Sequence, residues 1–200
     1  MAEPTPGDIT LPDELLGPRV RLRPYRESDA AALWEAVSES RAALEAWMPW
    51  ARAYRTPADV PPTLRRLQAD WLLRENLTVG IFDRATDRYL GGSGLTRMDW
   101  VIRRFEIGYW LRDSAVGHGY ATETVQVLTR FAFDDLDACR VEIRMDPRNG
   151  RSRAIPERLG FTYEGCLRRA FRDVHDRPSD TLVYALLPDE FANVPWRTSA

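Results

Sequence analysis

The chain has no lysine: all 28 of its Lys and Arg positions are arginine. A Schiff-base mechanism through a lysine amine is therefore excluded, and so is a phosphate-binding P-loop, which needs a Gly-Lys pair. Cysteine is nearly absent. Cys139 and Cys166 stand alone, which offers neither a CxxC metal pair nor a disulfide framework and leaves both to be read as packing residues. The two histidines, His118 and His175, lack HExxH spacing and read as surface or loop residues, so no metal is expected. Long apolar runs are missing too: Thr181 to Leu187 is far too short to cross a bilayer. Met1 to Gly7 has neither the basic start nor the apolar core of a secretory signal. A cytoplasmic protein without membrane contact is expected.

What is present suits one folded unit. Two hundred residues, 44% hydrophobic and 29% charged, can bury a core without staples. The net charge of −2 gives no general attraction for nucleic acid, and no direct binding to it is expected. The charge is unevenly spread, however. From Arg140 to Arg172 nine arginines meet only Glu142, Asp146, Glu157 and Glu164, so this stretch carries +5 and the remainder −7. Such a stretch is either an anion site or a solvated basic face.

Hydrophobic periodicity predicts an α/β order. Val20 and Leu22 share one face of a strand over Arg19 to Pro24, and Ser28 then caps a helix running to about Arg41. An aromatic turn, Trp47-Met-Pro-Trp50, precedes a second helix carrying Leu64, Leu67, Trp71 and Leu72 and ending near Glu75. Strands follow over Leu77 to Ile81 and Tyr89 to Arg97. Next comes Arg103 to Arg112, where Phe105, Ile107, Tyr109 and Leu111 alternate with Glu106, Gly108 and Trp110. A glycine turn over Val116 to Gly119 opens a helix with the stripe Ala121, Val125, Leu128 and Ala132. Then come a strand over Val141 to Met145, a helix to Leu159 stopped by Gly160, and two strands, Phe161 to Phe171 and Pro178 to Leu187. Pro156 lacks an N–H, so this last helix is expected to be short or bent.

The glycine turn is the first segment that carries chemistry. Gly117 and Gly119, after a strand and at the start of a helix, let backbone N–H groups approach an anion at the positive end of the helix dipole. The same glycines are also ordinary turn residues, and Thr122 stands where a dinucleotide fingerprint would need a third.

Together the segments Glu106-Ile-Gly-Tyr-Trp-Leu, Val116-Gly-His-Gly-Tyr-Ala-Thr-Glu123, Asn149-Gly-Arg-Ser152, Glu157-Arg-Leu-Gly-Phe161 and Tyr184-Ala-Leu-Leu-Pro-Asp-Glu190 resemble the GNAT superfamily of acetyltransferases. More narrowly they resemble its RimJ/RimL group, which acetylates N-terminal amines of ribosomal proteins. The ordered match covers about Arg19 to Leu187. It implies an N-terminal extension over residues 1–18, a single acetyltransferase domain over 19–188 and a C-terminal tail over 189–200. The implied fold is α/β (α+β), with a mixed central sheet splayed at its fourth strand and about four flanking helices. The implied cosubstrate is acetyl-coenzyme A, and relatives in this group are often homodimers.

Carried over residue by residue, the resemblance puts the pyrophosphate loop on Val116, Gly117, His118, Gly119 and Tyr120. The usual Arg or Gln three residues before the first glycine is replaced by Ser114, and phosphate contacts are expected instead from Arg148, Arg151 and Arg153. Trp110 and Leu111 match positions whose backbone pairs with the pantetheine arm, and Asn149 matches the residue that reaches it. Glu106 matches a position used as general base, with Glu123 as a rival of more structural character. As general acid many relatives carry a tyrosine seven residues after the asparagine; Pro156 stands there, and Ser152 matches a serine proposed for that role near the sulfur. Trp47 and Trp50 are expected at the acceptor groove. The acceptor is a protein N-terminal amine or a small amine such as an amino acid, polyamine or antibiotic. A non-catalytic coenzyme A-binding module is the remaining alternative.

Overall fold

The computed structural model describes residue 7 and residues 9–197; the reading of residues 1–6 as carrying no signal lies outside the described residues. The strands are β1 (Leu15–Leu16), β2 (Val20–Pro24), β3 (Leu77–Asp83), β4 (Tyr89–Asp99), β5 (Arg104–Leu111), β6 (Arg140–Met145), β7 (Thr162–Arg172) and β8 (Pro178–Leu186). The helices are α1 (Ala30–Glu39), α2 (Arg41–Trp47), α3 (Val60–Leu73), α4 (Tyr120–Arg130), α5 (Gly150–Leu159) and α6 (Pro188–Phe191). Among the described residues, these eight strands form one sheet in the order β1-β2-β3-β4-β5-β6-β8-β7. Only β5 and β6 run parallel; every other neighbouring pair is antiparallel. The mixed α/β fold expected from the sequence is thus present, and the splayed strand is β5, fourth among the strands longer than two residues.

Strand alternation sends two sets of side chains to opposite faces of the sheet. Leu22, Val79, Ile81, Phe105, Ile107, Val141 and Ile143 pack with Val125 and Leu128 of α4 and Leu159 of α5 in one core. Tyr25, Phe82 and Tyr89 join Leu33, Val37, Leu44 and Leu64 of α1 to α3 in a second. Each fully buried Leu, Ile or Val contributes about 1.5–3 kcal/mol relative to exposure, so the two cores clamp the sheet from both sides. Phe191 and Trp196, past the last strand, also pack into the first core.

Several sequence expectations need correction. The first helix begins at Ala30, after a 3-10 turn over Glu27–Asp29 in which the Asp29 carboxylate accepts the N–H of Arg26 at 2.7 Å, and Ser28 does not cap it. It then breaks at Ser40, a fully buried residue whose Oγ accepts the N–H of Asp113 at 2.8 Å. That break and the short α6 raise the expected four helices to six among the described residues. In α3, Leu72 leaves its apolar stripe and is 71% exposed. The fourth helix ends in a π-helical turn, Phe131–Asp135. The α5 helix runs through Pro156 to Leu159, the expected end, where Gly160 at φ 79° stops it. Both cysteines are exposed: Cys166 sits on the edge strand β7, and Cys139 lies in the turn before β6.

Candidate active site

The β5–β6 pairing lasts for three residues, from Arg104↔Arg140 to Glu106↔Glu142, and then stops. On its other side β5 stays paired with β4 as far as Leu111. The edge of β5 from Ile107 to Leu111 therefore faces β6 across a gap, with main-chain groups available to a guest. Because the sheet is open there, residues from opposite faces of β5 line one cleft of about 250 Å3, Glu106 from one face and Tyr109 from the other. Asn149 and Ser152 enter it from α5, and Trp47 and Met48 from the end of α2. Trp50 turns away into a neighbouring cavity, where its ring lies 5.5 Å from that of Trp110. The Leu111 side chain packs against the first core.

Glu106 is mostly buried, with 15% of its side chain exposed, and its Oε2 lies 3.4 Å from both Arg97 Nε and Arg144 Nε. At that distance these are ion pairs without a hydrogen bond, and Oε2 is buried with no hydrogen-bond partner among the described residues. Burial raises its pKa above the usual carboxylate value; the arginines pull it back and nearby Glu142 pushes it up further. Glu106 is therefore a carboxylate that lines the cleft and whose Oε2 accepts no hydrogen bond among the described residues. Glu142 is a residue that sequence reasoning missed. It is 3% exposed and is held by Arg140 at 3.0 Å and Arg144 at 2.8 Å. Strand alternation would put it toward solvent, but β6 is interior to the sheet. The available signal was the Arg-x-Glu-x-Arg spacing, which places three charges on one face of a strand.

On α5, Asn149 caps the helix by accepting the Ser152 N–H at 3.1 Å. The Tyr109 hydroxyl lies 3.1 Å from Ser152 Oγ and 3.0 Å from the Ser152 carbonyl oxygen. Burial pushes the Tyr109 hydroxyl up to about 12, against the opposing hydrogen bond with Ser152, so it stays protonated across the physiological range.

The glycine turn is built as a donor cradle. Gly117 and Gly119 have φ of 88° and 83°, left-handed values that favour glycine. The amides of Gly117, His118 and Gly119 donate to no backbone acceptor among the described residues, and α4 begins at Tyr120 with its positive end toward them. Buried Arg112, paired with Glu35 and Glu39, anchors the segment before the turn, and Glu39 also accepts the N–H of Ser114 at 2.7 Å. Arg112 holds the Glu39 carboxyl down at about 2, with burial opposing.

Among the described residues, the guanidinium groups hydrogen-bonded around the turn are other than Arg148, Arg151 and Arg153. Arg148 pairs with Asp146 and Asp173, and Arg153 with Glu157. Instead Arg19 donates to the His118 carbonyl at 2.9 Å, Arg88 to Ser114 Oγ at 2.9 Å, and Arg158 to Thr122 Oγ1 at 3.1 Å. Ser114, the residue in place of a long polar side chain, is thus itself a seat for an arginine from the β3–β4 turn.

Glu123 clips the sheet to this loop. Its Oε1 accepts the N–H of Arg19 at 2.6 Å and of Val20 at 2.9 Å, and its Oε2 accepts from Arg19 Nε at 2.9 Å. A carboxylate so occupied has a structural task. We expect Glu123→Ala to cost about 2–4 kcal/mol, since it strands main-chain donors in a buried place; denaturant unfolding would measure this.

The family is decided by comparison. Residues 19–162 match the family model described as Acetyltransferase (GNAT) domain. The chain belongs to the GNAT acetyltransferases. It is an acyltransferase dependent on acetyl-CoA, and its relatives are of the RimJ/RimL kind. It is 30% identical over 178 residues to YdaF of Bacillus subtilis (strain 168), a candidate ribosomal N-acetyltransferase, covering 86% of this chain and 93% of that one. With the ribosomal-protein-serine acetyltransferase of Escherichia coli (strain K12) it shares 24% over 171 residues, 85% of this chain and 93% of the other. The structure of Mycobacterium smegmatis RimJ in complex with CoA-disulfide superposes with a TM-score of 0.81 at 26% identity, covering 90% of this chain and 88% of that one. The free amides of the glycine turn and the open edge of β5 fit such a guest, one offering donors to phosphate and the other main-chain partners to an amide-bearing arm. Among the described residues no three His, Cys, Asp or Glu side chains gather as metal ligands would, and no helix is long and apolar enough to cross a membrane.

Proposed function

We propose that this acetyltransferase modifies the N-terminal amine of a protein by direct attack in a ternary complex. The observation that carries the reading is the shared cleft in which Glu106 and Ser152, from different elements, line the opening between β5 and β6. The acetyl donor supplies a thioester carbonyl for attack. Val116 to Tyr120 would hold its diphosphate, while the β5 edge at Trp110 and Leu111, together with Asn149, would hold its arm. Glu106 takes the proton that the amine must lose, and Ser152 gives one to the departing sulfur; the proton gained and the proton given balance through solvent. A base with a raised pKa and a free acceptor suits that task better than one saturated with hydrogen bonds, as Glu123 is. Trp47 and Met48 on one side, and Phe171 and Val174 on the other, flank the cleft and suit an acceptor presented as a chain end.

A protein acceptor is supported by the ribosomal-protein substrates named for the relatives. Measured by free-thiol release, N-terminal peptides are expected to turn over at least about tenfold faster in kcat/KM than free amino acids, polyamines or aminoglycosides, a difference of about 1.4 kcal/mol in transition-state binding. Faster turnover of a small amine would replace this reading with the small-molecule one, and acetyl-CoA binding without turnover on any amine would leave only a binding module. A homodimer, which the family resemblance implies, would be tested by sedimentation.

A further inference from the structure

A proline inside a helix breaks two things at once. It withholds one N–H, and the carbonyl four residues earlier loses its partner. In α5 that carbonyl belongs to Ser152, because Pro156 occupies the fourth position after it. Ser152 is half-buried and the neighbouring Ile155, Pro156 and Leu159 are buried, so an orphaned acceptor here carries a cost that an internal donor removes. The structure supplies the missing donor from another element: the Tyr109 hydroxyl reaches across the opening from β5 and donates to the Ser152 carbonyl at 3.0 Å.

We infer that Tyr109 is a positioning residue for Ser152, tied to the carbonyl that Pro156 leaves unpaired and, from that fixed place, setting the direction of the serine hydroxyl. The same phenolic oxygen lies 3.1 Å from Ser152 Oγ. Its single proton goes to the carbonyl, so its lone pairs accept the serine O–H and hold that rotamer until a stronger acceptor competes. Asn149 fixes the other side of the residue through the Ser152 N–H. Serine is thereby held at its amide, its carbonyl and its hydroxyl, three constraints on a side chain that would otherwise choose among staggered rotamers. The ring of Tyr109 packs against the first core, which keeps the hydroxyl from wandering. Tyr109 and Pro156 form a matched pair in this account: the proline creates the acceptor and the tyrosine uses it.

The inference rests on Ser152 being the proton donor, and a double-mutant cycle separates the two claims. Ser152→Ala should lower kcat with little change in KM for acetyl-CoA; if it leaves kcat unchanged, the proton-donor reading of Ser152 fails first. Tyr109→Phe keeps the ring and should lower kcat about tenfold, as expected for a misdirected group rather than a missing one. In the Ser152→Ala background the same change should have no further effect on kcat. A full additional loss there, or wild-type kcat for Tyr109→Phe when Ser152→Ala is impaired, overturns the positioning role. The second readout needs no substrate. Pro156→Ala restores an N–H to the Ser152 carbonyl, so Tyr109→Phe should lower the melting temperature in the native background and markedly less in the Pro156→Ala background. Equal shifts in the two backgrounds would show that the carbonyl was never the tyrosine's partner in solution.

Discussion

Gly117→Val is expected to remove measurable acetyl-CoA binding in calorimetry, weakening it by about a hundredfold or more, while the protein stays folded. A Cβ at Gly117 would meet nothing within 4 Å, so the effect is not a clash. It arises from φ of 88°, where a β-branched residue carries strain of about 1–3 kcal/mol. The exposed turn relieves that strain by rotating, and the rotation turns away the amides of Gly117 and His118. Each hydrogen bond to a charged partner is worth about 1.5–3 kcal/mol, and losing two gives the stated factor at about 1.4 kcal/mol per tenfold. The fold survives because the anchors of the turn lie before and after it, at Arg112 and Glu123. Wild-type affinity in this variant would refute the assignment of the loop.

Glu106→Gln is expected to lower kcat by about a hundredfold or more at neutral pH, the scale of a lost general base, with acetyl-CoA affinity nearly unchanged. Glutamine fills the same volume between Arg97 and Arg144 but cannot take the amine proton. The pH dependence carries the clearer signature. Burial raises the Glu106 pKa, so the base is occupied by a proton to higher pH than an ordinary carboxylate. Activity of the native enzyme should rise with pH through that value and then level, and the variant should lack this limb. The same shift has a consequence for stability. The folded state binds the proton more tightly than the unfolded chain, so this group's contribution is fully present below the ordinary carboxylate pKa and is lost as pH rises through the folded one. Glu106→Gln should remove that decline from a titration of melting temperature. Equal kcat in native and variant protein would move the base to water or elsewhere.

Much of the site was legible because its chemistry is local in sequence. The left-handed turn at Gly117 and Gly119 needs glycine, the strand around Glu106 alternates without interruption, and Asn149 caps the helix that carries Ser152 three residues later. What escaped was pairing across distance. The arginines around the loop come from the start of β2, from the turn before β4 and from α5, and no spacing rule connects Arg19, Arg88 and Arg158 to His118, Ser114 and Thr122. The nine-arginine stretch suggested a reserve of free positive charge, yet Arg140, Arg144, Arg148 and Arg153 are paired with carboxylates. The break of the first helix at Ser40 followed from a hydrogen bond to Asp113, far along the chain, which periodicity cannot register.

By itself, then, the sequence determined the order of the seven longer strands and of α1, α3, α4 and α5 and the position of the donor cradle, since these depend on alternation, helical spacing and backbone freedom within a few residues, and its motifs in order carried the resemblance to the family. Only the tertiary structure decided that β8 lies between β6 and β7, that β5 and β6 part after three residues, and that Tyr109 meets the carbonyl opposite Pro156. Those outcomes depend on which main-chain groups find partners once the sheet is assembled, and a hydrogen bond joins atoms by their distance in space.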